Sequence, residues 1–320
     1  MIVVTGAAGF IGSCLISYLN RKGFDNLIAV DAIHKQEHPN LLNTKIHSYL
    51  DRNQFIPWLE NNANSIDFIF HIGARTDTTE MNVQIFEELN VLYSKSLWKI
   101  AAQHDIPFLY ASSAATYGNG ALGYSDDHQL ISKLKPLNPY GLSKQYFDEW
   151  VLFQKQIPTR WAGFKFFNVF GPNEYHKGRM ASVIFHAFHQ IQNTGNVRLF
   201  KSNDPAIKDG EQKRDFIFIR DLLDVLFFFF ENPRSNGIYN LGSGQANTFV
   251  DLVNYTFEAL EKNASIEFIP MPEDLVKTYQ NYTCADMSKL HSISYNTPML
   301  PFKDAIQDYV CNYLVEGYYY

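Results

Sequence analysis

Residues 4–13 read VTGAAGFIGS, with glycines at positions 6, 9 and 12 between an apolar run and the helically spaced segment SCLISYLNRKG. Three small residues at this spacing suit a chain that must turn sharply out of a strand. Gly6 permits the tight turn, Gly9 lets a pyrophosphate approach the backbone, and Gly12 lets helix and strand pack closely, with the phosphates at the helix N-terminus. Glycine spacing alone specifies little, so the flanking elements matter. The next apolar run, LIAVD, ends on Asp31, 19 residues beyond Gly12, close to the separation of about 20 expected of an acid that binds a ribose hydroxyl. The stretch therefore predicts a dinucleotide site. Asp31 suits the free 2′-hydroxyl of NAD, whereas His34 and Lys35 could approach the 2′-phosphate of NADP; these residues leave both open.

Outward from this site, short β-branched or aromatic runs alternate with helical segments. IVVT (2–5), LIAVD (27–31), DFIFH (67–71), PFLYAS (107–112) and GFKFFN (163–168) are separated by stretches such as VLYSKSLWKIAAQH (91–104). Such alternation predicts an α/β fold, a doubly wound parallel sheet with crossover helices. After about residue 170 the rhythm loosens around KSNDPAIKDGEQK (201–213) and MPEDLVKTYQ (271–280), which predicts a second, smaller lobe. DLLDVLFFFFEN (221–232) and GIYNLGSG (237–244) look regular enough to return to the first lobe. The expected division is a dinucleotide-binding domain over 1–168 with about 221–243, and an interleaved substrate lobe over 169–220 and 244–320. The most apolar run, VLFFFF (225–230), falls short of the roughly 20 residues that span a bilayer and reads as a buried helix face.

The composition of the 320 residues, 46% hydrophobic and 19% charged, is that of a globular protein. A net charge of −6 provides no general basic field for nucleic acid or an anionic membrane, so an anionic ligand must be met by local cations. The stretch NEYHKGRMASV (173–183) concentrates three of them. Cys14, Cys284 and Cys311 show neither metal-ligand spacing nor a disulfide framework, and the opening MIVVTG is expected to be a strand rather than an export signal. We expect inert thiols, no metal site and a cytoplasmic location.

In NPYGLSKQYFDEW (138–150), Tyr140 and Lys144 stand four apart at the start of a helical segment and share one face. An ammonium beside a phenol favours the phenolate, so the lysine should lower the tyrosine pKa and fit it for proton transfer. By chance such a pair is an exposed helix face. Behind a dinucleotide fold it is a candidate acid/base pair.

TGAAGFIG (5–12), HIGA (71–74), Asn90, SSAATYG (112–118), YGLSK (140–144), FNVFGP (167–172), RDFIFIRD (214–221) and YNLGSG (239–244) occur in this order. On these pieces the sequence resembles the extended short-chain dehydrogenase/reductase family over essentially its whole length. The resemblance implies a Rossmann-type fold in which Ser113 completes the catalytic set with Tyr140 and Lys144, Ser112 being structural. It also implies cofactor contacts from Phe10, Ile11, Ala32, Ile72, Gly73, Ala74, Arg75, Asn90 and Val169 beside the glycine loop, Asp31, Tyr140 and Lys144. Members that eliminate water from nucleotide sugars carry an Asp-Glu pair where this chain has Ala114 and Ala115, so dehydration is not expected.

ASSAATYG (111–118), FFNVFGP (166–172) and HKG (176–178) are most similar to the branch whose members invert C6 of an ADP-linked heptose for lipopolysaccharide inner-core synthesis. That similarity implies retained NADP, with NAD as the alternative, a transient ketone at C6, and Lys177 as a second acid/base group also in contact with cofactor. Lys177 as a phosphate contact is the other role. Arg214 is implied to grip the substrate diphosphate, Asn168 to contact the sugar, and His186, Phe200, Lys201 and Tyr279 to line the substrate side; a helix histidine, a core aromatic and a surface tyrosine are the plain alternatives. A homo-oligomer, with a pentamer as the expected size, is implied too. Three departures stand out. Arg179 replaces a small serine and could pair with diphosphate or signal another sugar, the 201–213 loop is longer, and Ala32 replaces a polar residue, leaving Lys35 or Arg52 for the cofactor phosphate. A reductase or 4-epimerase of the same family, or a nucleotide-sensing protein on the same fold, are the rival expectations.

Overall fold

A computed structural model describes residues 1–233, 236–276 and 279–320. Arg234 and Ser235, within the stretch assigned to the first domain, and Lys277 and Thr278 of MPEDLVKTYQ lie outside the described residues.

Among the described residues twelve strands form three sheets: β1 (Ile2–Thr5), β2 (Leu27–Asp31), β3 (Ser48–Asp51), β4 (Phe68–His71), β5 (Phe108–Ser113), β6 (Trp161–Phe166), β7 (Asn168–Phe170), β8 (Val197–Phe200), β9 (Lys213–Phe218), β10 (Gly237–Leu241), β11 (Ala246–Thr248) and β12 (Ile266–Ile269). The principal helices are α1 (Phe10–Arg21), α2 (Arg52–Asn62), α3 (Tyr93–His104), α4 (Pro139–Leu152), α5 (Val183–Thr194), α6 (Ile219–Glu231), α7 (Phe249–Ala259) and α8 (Phe302–Tyr309). The seven-stranded sheet runs β10-β6-β5-β4-β1-β2-β3 and its pairings are parallel. The strand order reverses between β1 and β4, and such a switch point opens a crevice at the C-terminal strand ends.

The apolar strands are buried on both faces, as crossover helices require. Val3, Val4, Leu27, Ala29, Ile69, Phe70 and Phe108 are sealed in the core, and each large side chain so buried contributes about 1.5–3 kcal/mol. β3 (SYLD) is half-buried along its length; a short polar edge strand carries little apolar pattern, and the sequence reading passes over it. GFKFFN begins two residues too late, because Trp161 and Ala162 already pair with Phe108 and Leu109, and the strand breaks at Phe167.

α6 buries Val225, Leu226, Phe227 and Phe229, so VLFFFF is a core helix face as expected. β10 pairs with β6 at the edge of the main sheet, so the chain does return there after residue 220. β7, β9 and β11 form one small sheet and β8 with β12 another.

Candidate active site

A cleft of about 530 Å³ opens at the switch point. Gly6, Gly9, Phe10, Ile11 and Gly12 form its floor, with Ile72, Gly73, Ala74 and Arg75 after β4. The glycines are required sterically. A Cβ on Gly6 would stand 2.6 Å from the Gly73 Cα at a φ of +67°, and one on Gly12 would stand 2.1 Å from the Gly6 carbonyl oxygen. No side chain caps the N-terminus of α1 at Gly9, so its first amides are free for an anion.

At the far end of this floor Asp31 is buried. Its Oδ2 accepts from the Ala8 amide at 3.2 Å, its Oδ1 from the Ala32 amide at 2.8 Å, and the Lys35 ammonium lies 3.6 Å away. Lys35 and Arg52 both line the cleft here. The Arg52 Nε and the Tyr93 hydroxyl are buried without a protein partner, an arrangement that suits a further acceptor supplied by a ligand. A cradle only glycine can form and open helix amides fit a dinucleotide, with Asp31, Lys35 and Arg52 at the far end of its cleft.

Ser113, Tyr140 and Lys144 line the same cleft. Asn138 caps α4 through the Gly141 amide at 2.8 Å, and Pro139 opens the helix, which fixes Tyr140 in its first turn. The Lys144 ammonium is buried and donates to the Ala111 carbonyl at 2.7 Å; desolvation lowers its pKa to about 8, against the upward pull of Asp148. The expected lowering of the Tyr140 phenol by this lysine is not met. Burial pushes that phenol above its ordinary value, and the Ser113 hydroxyl offsets this only in part. Ser112 also lines the cleft and donates its hydroxyl to Asp148 at 2.6 Å.

Lys177 also reaches the cleft, its ammonium 5.3 Å over the Phe10 ring. It rides on the turn Tyr175–Met180, and burial lowers its pKa while the buried Glu174 raises it. Glu174 holds the turn in place, accepting from the Ser182 amide and hydroxyl, both at 2.6 Å, and from the Tyr309 hydroxyl at 3.0 Å. Asn168, Val169 and Arg214 complete the wall. The Arg214 guanidinium lies 5.1 Å over the Tyr279 ring and 5.6 Å over Phe249.

Other sequence candidates stand outside the lining. Asn90 is buried behind it, accepting from the Arg75 amide at 2.8 Å and donating to the Arg75 carbonyl and the Ser143 hydroxyl, so it fixes the cleft wall. Ala32 is buried beside Asp31, Arg179 and Lys201 are exposed, and His186 and Phe200 are half-buried away from the cleft. Thr5, Thr76, Leu89, Tyr93, His176, Met180, Ser182 and Phe249 line it without having been singled out. Of these, His176, Met180 and Ser182 lie in the stretch marked by its cations and Thr5 in the glycine-loop piece, whereas Thr76, Leu89, Tyr93 and Phe249 carry no motif. Among the described residues no group of His, Cys, Asp or Glu is arranged to hold a metal, and no helix is long and apolar enough to cross a membrane. Burial raises the pKa of all three thiols, which favours their protonated form.

The sequence model of the NAD dependent epimerase/dehydratase family matches residues 2–242. The chain belongs to that family. It is 43% identical to the ADP-L-glycero-D-manno-heptose-6-epimerase of Fusobacterium nucleatum, across 99% of this chain and 98% of that one. The enzyme of the same name from Nitratidesulfovibrio vulgaris is 41% identical, with 98% of each chain covered. With relatives of this kind along its whole length the chain is an epimerase, an enzyme of the isomerase class that works with a nicotinamide cofactor. The crystal structure of the Helicobacter pylori ADP-L-glycero-D-manno-heptose-6-epimerase superposes with a TM-score of 0.81 at 26% identity, over 97% of this chain and 95% of that one.

Proposed function

We propose that this epimerase converts ADP-D-glycero-D-manno-heptose to ADP-L-glycero-D-manno-heptose with retained NADP, supplying lipopolysaccharide inner-core precursors. One observation carries the reading: Lys177 and Tyr140, two protonatable groups from distant segments, line one cleft with the glycine loop. Inversion through a ketone needs proton transfer at the same oxygen twice, once for each face of C6. The 41–43% relatives support the choice of sugar.

Gly6, Gly9 and Gly12 would hold the pyrophosphate, and Lys35 and Arg52 a 2′-phosphate; the orphaned Arg52 Nε favours NADP over NAD. The nicotinamide supplies, when bound, the acceptor and donor of one hydride. Tyr140 takes the C6 hydroxyl proton as the C6–H bond breaks, and Ser113 donates a hydrogen bond to the oxygen that becomes the ketone. Burial raises the Tyr140 pKa, and Lys144, in the same cleft, would offset part of that rise when the phenol gives up its proton. Lys177 then protonates the oxygen when hydride returns to the other face, leaving no net redox change. Arg214, a planar guanidinium between two rings, would hold the diphosphate, with Asn168 on the sugar.

The same reading divides the chain into a dinucleotide domain, 1–168 with about 221–243, and a substrate lobe, 169–220 and 244–320. It also places the enzyme in the cytoplasm as a homo-oligomer, for which we propose five subunits. The test is to incubate the purified enzyme with ADP-D-glycero-D-manno-heptose and no added reductant, and to determine product stereochemistry at C6. Inversion supports the reading. No conversion unless reductant is added overturns it in favour of a reductase.

A further inference from the structure

Beneath the reacting groups lies an ion pair to which the proposed chemistry gives no part. Asp148 is on α4, one turn past Lys144 and two past Tyr140; Lys165 is on β6; both side chains have no exposure, and Lys165 Nζ lies 2.7 Å from Asp148 Oδ2. Two strand residues also donate to the carboxylate, Ser112 at 2.6 Å and Tyr110 at 3.1 Å. The ammonium has a second acceptor in Thr116 Oγ1 at 2.8 Å, and Thr116 in turn donates to the Ser113 carbonyl at 2.8 Å. A path of hydrogen bonds therefore leaves α4 at Asp148, crosses β6 at Lys165 and ends on the backbone of Ser113. A shorter path reaches the preceding residue, Ser112.

Stability alone does not account for such a pair. Removing both charges from water costs several kcal/mol each, and apolar side chains of equal volume are often as stabilising. A fully satisfied network does supply direction, because each bond fixes distance and angle. Here it fixes the end of β5 against α4, and those two elements carry Ser113 on one side and Tyr140 with Lys144 on the other. The bond from Lys144 to the Ala111 carbonyl ties the same two elements one step further back.

We propose that Asp148 and Lys165 are the positioning pair of this active site, holding the Ser113 hydroxyl in register with Tyr140 and Lys144 through Ser112 and Thr116. The inference rests on the reading of Ser113, Tyr140 and Lys144 as the reacting set. Neither residue of the pair touches substrate or cofactor. Their effect belongs in kcat, where misplacement of a reacting group by 1 Å costs about 10²-fold.

The test uses the double variant Asp148→Asn/Lys165→Met, which keeps an acceptor for one of Ser112 and Tyr110, sets an amide donor against the other hydroxyl, and buries no unpaired charge. With NADP as the titrated probe and ADP-D-glycero-D-manno-heptose as substrate, the folded variant should keep NADP affinity and KM within about threefold while kcat falls by about tenfold or more. Lys165→Arg, which preserves charge and donors, should recover kcat to within about twofold. An unchanged kcat in the double variant, or Lys165→Arg as impaired as that variant, overturns the proposal. Should the double variant fail to fold, Thr116→Val cuts the path only at Ser113; there a kcat about fivefold lower supports the proposal, and wild-type kcat overturns it. Tyr140→Phe, assayed alongside, separates the two levels. An inactive Tyr140→Phe beside a fully active double variant sinks the positioning pair alone, and a fully active Tyr140→Phe sinks the underlying reading.

Discussion

Lys144 sets its buried ammonium on the Ala111 carbonyl at 2.7 Å, so a helix residue and a strand residue close the site from behind. Desolvation brings the lysine pKa from 10.5 to about 8. The unfolded chain therefore holds that proton up to about 10.5 and the folded chain only to about 8. Between those values the unfolded state binds more protons, so this group makes stability rise with pH across the window, and below it the folded state carries the whole penalty. A shift of this size corresponds to about 3 kcal/mol, and an unpaired carbonyl left behind costs about 1–3 kcal/mol.

Lys144→Met should accordingly melt no lower than the parent at pH 7 and lose the parent's rise in stability between pH 8 and 10.5, while epimerisation falls at least 10²-fold. Thermal melts of the two proteins across that range, compared pairwise, check it. A variant that melts well below the parent at pH 7 contradicts the assigned penalty.

The glycine loop and its strand were legible because each residue type there answers to a local steric demand: Gly6 meets Gly73, and Gly12 meets Gly6. The Tyr140–Lys144 pair was legible for the same reason, as four residues of helix bring both to one face. Its electrostatics were not. The lowering expected of the phenol needs the depth at which each group lies, and here burial dominates. Asn90 shows another limit, since a motif marks that a residue matters but not whether it touches ligand or, as here, holds the Arg75 backbone from behind. Tyr93 and Phe249 reach the cleft from helix starts far apart in the chain, and β3 hides in four half-buried residues. Nothing local records such meetings.

Lys177→Met should leave NADP binding within about threefold and reduce epimerisation by about 10²-fold, the ordinary worth of a positioned acid or base. The Glu174 carboxylate already raises the pKa of this ammonium against burial, so the charge has a protein counter-ion without the cofactor. Fluorescence titration of NADP beside a stereochemical assay separates the roles. A wild-type rate would reduce the lysine to a phosphate contact.

Arg52 ends its Nε in a buried position with no protein acceptor, next to Asp31 and Lys35. A charge-assisted bond to a 2′-phosphate would give that donor its partner. Arg52→Leu should weaken NADP by about tenfold, some 1.4 kcal/mol, and leave NAD within about twofold. Isothermal titration with each nucleotide decides, and the mass of the nucleotide that co-purifies gives an independent check. Equal losses for both nucleotides would mean that Arg52 only shapes the cleft.

Arg214 is buried between two rings, with one Nη bonded to the Lys213 carbonyl, so its guanidinium plane is set before any substrate arrives. A planar fork of this kind bonds two phosphate oxygens at once, whereas an ammonium offers a point charge and no stacking plane. Arg214→Lys should therefore raise the KM for the nucleotide sugar by about tenfold with kcat within about threefold, since diphosphate contacts are shared by ground and transition states. The rings supply the pre-set plane rather than the charge. Tyr279→Phe should then keep KM within about twofold and Tyr279→Ala should raise it, because cation–π support is worth about 1–2 kcal/mol when desolvated. Steady-state kinetics on the three variants check the ordering, and a Tyr279→Phe as weak as Tyr279→Ala would move the role from the ring to the hydroxyl.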